Sequence, residues 1–332
     1  LVMDQNDFNP LIVHCYYAIF VIFALSENGL LIYLIRFRSP HIVRSLKAML
    51  INISTMQILT ATMAGLLQGR LIGYESSLAI LPEGPLRMFG PRAGLIGYSV
   101  ISAFTFYVEL LIAHTMYWRY RMLQARQMNK AELLLSFTMI GIWPVLLVVL
   151  PHIGPPQFDI IMNEVVQVHP NYNLKKYGEF GGFDSKTLNQ TIWSFIGSAI
   201  TIISPILILY LRRLILKTLN NSNHQYTTKT IQSSQMYLRA LTMQAMVPVL
   251  CFVPSITLAN LARVSGSNSP ISEYLRICIA TLPCVIDPLI AFYFVPPYRA
   301  WILKKFFPTE AGTKNVTTVT RNRNLRVQES TP

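Results

Sequence analysis

Seven long apolar runs, at 11–35, 46–67, 94–118, 133–150, 191–211, 237–262 and 274–295, constrain this 332-residue chain more than any other feature. A bilayer hydrocarbon core about 30 Å thick takes about 20 mostly apolar helical residues to cross. Backbone polar groups in hydrocarbon must be satisfied within the structure, which leaves helices or closed barrels, and runs this long read as helices. The run at 133–150 is the shortest, and the run at 237–262 contains Pro248 and Pro254. Charged residues make up 13% of the chain, against about 25% in soluble domains. The reading is an all-α integral membrane bundle of seven transmembrane helices. The first run is longer than the apolar region of a cleaved leader, so it is expected to remain as a span.

Orientation follows from the bases, which favour the cytoplasmic side. Of the 28 Lys and Arg, 20 fall at the connections after spans one, three and five or in the tail, and 8 fall at the other connections. The N-terminus is therefore expected outside and the C-terminus inside. The net charge of +13 is a topology signal and requires no nucleic acid. A seven-transmembrane domain (1–308) is expected to precede a disordered cytoplasmic tail (309–332) rich in Thr, Asn and Arg. The sequon at Asn189, followed by Gln190 and Thr191, is the candidate glycosylation site on the outer side.

Cysteine is sparse: Cys15, Cys251, Cys278 and Cys284 all lie in spans, and none falls between Cys15 and Cys251. No outer-loop disulfide is possible on that distribution, and metal-ligand spacing is absent. No HExxH or GxSxG occurs, and His114 and His152 are isolated. Neither an enzyme nor a cofactor is expected.

Three acids fall in the spans: Glu27, Glu109 and Asp287. Intramembrane ionisable residues face the bundle interior and mark function by default. Asn52, Ser54, Thr55 and Gln57 on span two, with Asn28 on span one, are expected to cluster with Asp287 in the cytoplasmic half. Pro288 lacks an N–H and so frees one backbone carbonyl, which such side chains can satisfy. After Pro296 and Pro297 the chain YRAWILKKFF (298–307) reads as a short amphipathic eighth helix lying in the interface. Trp301, Ile302 and Phe306 would share one face, with Arg299, Lys304 and Lys305 towards the headgroups.

These residues carry a resemblance. Asp287-Pro288 with Tyr293 resembles the Asn/Asp-Pro-x-x-Tyr motif of helix seven in rhodopsin-like receptors. Trp118-Arg119-Tyr120 resembles Asp-Arg-Tyr at the end of helix three, and Cys251-Phe252-Val253-Pro254 resembles the Cys-Trp-x-Pro kink of helix six. Trp143 falls where helix four usually carries tryptophan. The stretches LRALTMQAMVPVLCFVPSI and IDPLIAFYFVPPYR, with Gly90-Pro91 before span three, resemble more closely the nematode serpentine receptors of class delta.

The chain departs from the rhodopsin-like pattern at several points. Trp118 replaces the acid before Arg119, Gln57 stands near the usual aspartate of helix two, and Arg92 replaces the cysteine that opens helix three. Tyr293 lies five residues past Pro288 instead of three.

The resemblance implies a chemosensory receptor in the plasma membrane, in sensory-neuron cilia. It would bind an odorant or pheromone-like small molecule outside and activate a heterotrimeric G protein inside. Arg119, Tyr120, Pro254, Asp287, Pro288 and Tyr293 would form the signalling switch, and Asn28, Asn52, Gln57 and Glu109 a polar core. Tyr98, Ile101, Phe104 and Trp193, with Tyr107 and Phe195, are the candidate pocket. Ile101 stands where amine receptors carry aspartate, which disfavours a cationic ligand. The rival reading is a secondary transporter or channel relaying protons or ions through Glu27, Glu109 and Asp287. Transporters often show internal repeats, and none is visible here.

Overall fold

The computed structural model describes residues 10–39, 46–74, 77–124, 129–154, 158–170, 172, 174–184, 186–221, 228–265 and 270–306. The expected tail at 309–332 and the first nine residues lie outside the described residues. Among the described residues seven helical stretches are long and apolar enough to cross a membrane: Leu11–Arg38, Lys47–Leu67, Pro91–Leu123, Ala131–His152, Leu188–Leu219, Gln235–Ser255 and Ile271–Phe294.

The helices are α1 (Pro10–Arg38), α2 (Lys47–Leu67), α3 (Pro91–Leu123), α4 (Lys130–Val149), α5 (Phe158–Val168), α6 (Leu188–Asn221), α7 (Thr228–Ser265), α8 (Pro270–Thr281), α9 (Pro283–Phe294) and α10 (Pro296–Phe306). Among the described residues three strands lie between them, β1 (Gly69–Tyr74), β2 (Ser77–Pro82) and β3 (Gly181–Asp184), joined antiparallel in that order. The all-helical reading gave no sign of this sheet. Gln68 ends α2 in the left-handed region (φ 44°), a conformation that terminates helices. Its side-chain Nε2 donates to the Gly65 carbonyl at 3.0 Å, and the chain then turns directly into β1.

β2 is the central strand, pairing Leu71 with Ile80 on one side and Leu78 with Phe183 on the other. Helix α5 covers the sheet with Ile161 and Val165, four residues apart on one face, packed on Ile72, Ala79 and Leu81. We call this end of the bundle the sheet end.

Span seven is two helices. Pro283 cannot continue the hydrogen-bond ladder of α8, and Leu282 N–H closes a tighter turn on the Ile279 carbonyl at 3.2 Å. Thr281 Oγ1 and the Tyr16 hydroxyl donate to nearby carbonyls, of Ile277 at 2.9 Å and Cys278 at 3.3 Å. Pro288, whose missing N–H frees one carbonyl, does not mark the break. The break falls instead at Thr281–Pro283, and α9 runs helically through Pro288. Span six is one helix through both Pro248 and Pro254.

Helix α10 turns away after Val295. Tyr298 is buried and shares a hydrogen bond with Ser39 Oγ at 2.7 Å. The Trp301 ring sits 5.8 Å from that of Tyr33, while Lys304, Lys305 and Phe306 are exposed. Among the described residues two large apolar cores fill the bundle, beside a smaller one of Ala103, Leu147 and Trp193. One of the large cores, around Ala64, Leu95 and Ile277, lies towards the sheet; the other, around Leu111, Met116, Tyr237 and Tyr298, lies towards α10.

Candidate functional site

Below the sheet, α3, α6, α7 and α8 line a partly open cavity of about 450 Å³. Tyr98 and Ile101 of α3, Trp193 of α6 and Phe252 of α7 form much of its apolar wall, and Arg276 of α8 also lines it. Ligand sites typically have about 300–1,000 Å³ and mostly apolar walls with a few polar groups. Of the expected pocket residues, Tyr98, Ile101 and Trp193 line this cavity. Phe104 is half-buried and does not line it, and Phe195 is 73% exposed on the bundle surface. Those two rings are displaced because successive helical residues advance about 100°, so neighbours of a wall residue turn off the wall. Tyr107 instead meets Asn52, whose Nδ2 lies 3.2 Å from its hydroxyl.

A second, more polar cavity of about 550 Å³ sits nearer the loops, lined by Arg92, His152, Asp184 and Gln190 among others. Phe183 of β3 lines it too. The Phe183 ring stacks on Trp193 at 6.4 Å and lies 6.2 Å from Tyr98, so it stands between the two cavities. Asn189 borders the polar cavity and donates its Nδ2, the atom a glycan would need, to the Ile153 carbonyl at 2.8 Å.

The cap over the cavity is held by a buried ionic cluster that sequence reasoning missed. Arg70 of β1, 1% exposed, donates from Nε to Glu273 Oε2 of α8 at 2.6 Å. Its guanidinium lies 4.7 Å from the Tyr172 ring centroid and 5.4 Å from that of Tyr274. Tyr172 donates to Glu273 Oε1 at 3.2 Å, and Tyr177 to Glu83 Oε1 at 2.5 Å. Tyr274 also donates to Glu83 Oε1.

Burial alone would lower the Arg70 pKa, but the adjoining Glu273 and Tyr177 hold it above its ordinary range. Burial and then the charge of Glu273 push the Tyr172 hydroxyl up to about 12. His169, stacked on Tyr172 at 4.8 Å, is held below the usual histidine value by burial and by the charge of Arg70. All four cysteines are free, so this cluster joins the loops to α8 without a disulfide.

Beneath the cavity lies the polar core. Gln57 Nε2 donates to Asp287 Oδ2 at 2.6 Å, and Gln244 Nε2 to the Asp287 carbonyl at 3.0 Å. Asp287 is 0% exposed. Asn28 does not reach it; its Nδ2 donates to the carbonyls of Ala24 at 2.9 Å and Cys284 at 2.8 Å. Asn52 faces Tyr107, and Thr55 bonds back to its own helix at the Ile51 carbonyl. The expected single cluster is therefore several separate contacts, because helix rotation points Asn28 and Asn52 to different neighbours. Glu109 accepts from Ser204 Oγ at 3.2 Å, tying α3 to α6. Glu27 is half-buried, and its Oε2 has no hydrogen-bond partner among the described residues.

At the α10 end, Arg119 is 3% exposed. This residue, expected in the signalling switch, has its guanidinium within the bundle, close to Tyr237. Trp118 is buried as well, donating from Nε1 to His114 Nε2 at 2.6 Å. The ion pair at this helix end belongs to Arg121, 3.2 Å from Glu132 and stacked 5.0 Å over Trp118. Tyr120 is half-buried and accepts from Gln124 at 2.6 Å, and Pro254 lies on the exposed side of α7. Tyr293, expected in the switch, is 64% exposed against Phe294, since its five-residue offset from Pro288 turns it outward. Tyr298 occupies the buried position instead. Trp143 also faces outward.

A family model described as "Serpentine type 7TM GPCR chemoreceptor Srd" matches residues 13–304. Serpentine receptor class delta-59 of Caenorhabditis elegans is 29% identical over 305 residues, 91% of this chain and 92% of that protein. Serpentine receptor class delta-51 of the same organism is 26% identical over 310 residues, 92% of each. In fold, the crystal structure of squid rhodopsin aligns with a TM-score of 0.58 and 16% identity, covering 92% of this chain and 85% of that one.

Proposed function

The chain belongs to the serpentine type 7TM chemoreceptor Srd family, a group of seven-span membrane proteins, and we propose that it detects a small chemical cue in the cavity beneath the sheet. On this reading the sheet end faces outside, and the α10 end activates a heterotrimeric G protein from the plasma membrane of a sensory cell. The observation that carries it is the continuity between cavity and core.

On α3, Thr105 lines the cavity and Glu109 lies one turn below it. On α6, Thr201 lines the cavity, and Ser204, less than a turn further, bonds Glu109. Helix α7 presents Phe252 to the cavity and, two turns away, Gln244 to Asp287. A ligand that prefers one arrangement of these helices shifts the population towards it by that difference in affinity. Moving α7 against α9 is the change that would bring the buried Arg119 within reach of a partner.

The test is a cell assay of cue-dependent cAMP or calcium, run with and without the G protein, on a receptor tagged at both ends. A response that needs the G protein, with the N-terminal tag reachable on intact cells, supports the reading. Ion or proton flux that persists without a G protein would replace it with the transporter reading, and a tail tag labelled on intact cells would reverse the orientation.

A further inference from the structure

Among the described residues that line the cavity beneath the sheet, Arg276 is the only charged one. We infer that this cavity selects a small organic anion with an apolar body, the negative group seated at Arg276. The inference rests on the reading of the cavity as the cue site.

The charges around α8 point this way. Glu273 lies less than one turn from Arg276 and within its electrostatic reach, but does not line the cavity. Both of its oxygens are engaged, Oε2 by Arg70 and Oε1 by Tyr172. Glu83, the other acid of the ionic cluster, is held by Tyr177 and Tyr274 and does not line the cavity either. Among the described residues the cavity wall thus carries a cation and no carboxylate. A guanidinium is planar and offers paired donors that match a carboxylate or sulfate, and in a site of low dielectric an anion gains more from it than in water.

The rest of the wall sets the body of the ligand. Phe106, Trp193, Phe252 and Ile277 are apolar or aromatic, and the hydroxyls of Ser102, Thr105 and Ser198 suit no second charge. Ile202 of α6 and Val253 of α7 line the cavity and are also exposed on the bundle surface, so its apolar wall reaches the lipid-facing side. An alkyl or aryl body fits there, and a polyanion does not.

The experiment uses the detergent-purified full chain and three matched probe series: hexanoate, octanoate and decanoate, then the primary alcohols and amines of the same chain lengths. Thermal melting and equilibrium binding are read for each. The carboxylates should bind and raise the melting temperature, and the alcohols and amines should not. Arg276→Gln should weaken carboxylate binding by about 30-fold or more, and Arg276→Lys should recover part of it. Should Arg276→Gln fail to fold, Ser102→Leu fills the cavity from α3 and should abolish the carboxylate shift. The inference is overturned if no carboxylate binds, if alcohols or amines bind as well, or if either variant leaves carboxylate binding unchanged. Its failure is separable from that of the functional reading. G-protein activation by a neutral or cationic cue would leave the receptor standing and remove the anion site. Carboxylate binding that depends on Arg276 but never activates a G protein would do the reverse.

Discussion

Asn28 Nδ2 lies 2.8 Å from the carbonyl oxygen of Cys284, the acceptor four residues before Pro288 that the proline ring leaves without its helical donor. Span one thus supplies the hydrogen bond that span seven cannot make for itself. The same amide also donates to its own helix at Ala24, so one buried side chain serves two carbonyls.

Asn28→Ala is therefore expected to cost about 1–3 kcal/mol, the range for a buried polar group left unsatisfied. Pro288→Ala restores an N–H that can serve Cys284, so the cost of Asn28→Ala should shrink in that background. Thermal melts of the two single variants and the double variant measure this coupling. Strict additivity would mean that the contact carries no energy.

Asp287 poses a different question, since its side chain meets Gln57 and its carbonyl meets Gln244. Asn in its place retains an oxygen to accept from Gln57, so Asp287→Asn should keep surface level and most of the response. Asp287→Leu should lose signalling, because it strands the Gln57 amide at about 1–3 kcal/mol. If Asn behaves like Leu at equal surface level, the residue works by titration rather than by hydrogen bonding.

Removing half of the buried Arg70–Glu273 pair leaves a charge uncompensated, and Arg70→Ala should destabilise the receptor by about 3–5 kcal/mol. Replacing both with apolar residues of similar volume, as in Arg70→Met with Glu273→Leu, should cost much less. Mild reductant should leave cue response unchanged, because the cap contains no disulfide. A response lost in reductant and regained on reoxidation would contradict the cluster as the fastening of the cap.

The cap should also loosen at both ends of the pH scale. His169 has a folded pKa below its ordinary 6.5. The unfolded state then takes up more protons on acidification, so the stability it contributes is full above that value and lost as pH falls through the folded pKa. Tyr172 is raised from 10.0 to about 12, so its contribution is full below pH 10.0 and lost as pH rises towards 12. Hydrogen exchange of 158–184 against pH reads both limbs. His169→Gln should flatten the acid limb and spare the alkaline one.

Arg119→Ala should abolish G-protein activation while leaving the receptor at the surface. Activation at the wild-type level would show that Trp118-Arg119-Tyr120 is a helix end without a switch.

Much of the architecture was legible in the chain because hydrocarbon imposes a local rule. Any segment that crosses must be about 20 apolar residues of helix, and the seven runs announce this without reference to one another. The same locality made Pro288 readable as the source of a freed carbonyl, and the chain after Pro296 as a separate amphipathic helix.

Partners far apart in sequence were not readable. Arg70 counts as one more loop base until the fold sets it against Glu273, 203 residues away. Gln57 and Asp287 are separated by 230 residues, and nothing local distinguishes Gln57 from Asn52 as the partner. The rotation of each helix about its axis sent Tyr293 outward, Arg119 inward and Asn28 to Cys284. That rotation is set by the summed packing of neighbouring helices, since lipid tails and apolar side chains are nearly equivalent surroundings for any single face. The short strands, likewise, become a sheet only when β3 is brought alongside β2, because a strand's hydrogen bonds lie in another segment. Sequence determined which segments cross and how many; tertiary contacts alone decided what each buried polar group meets.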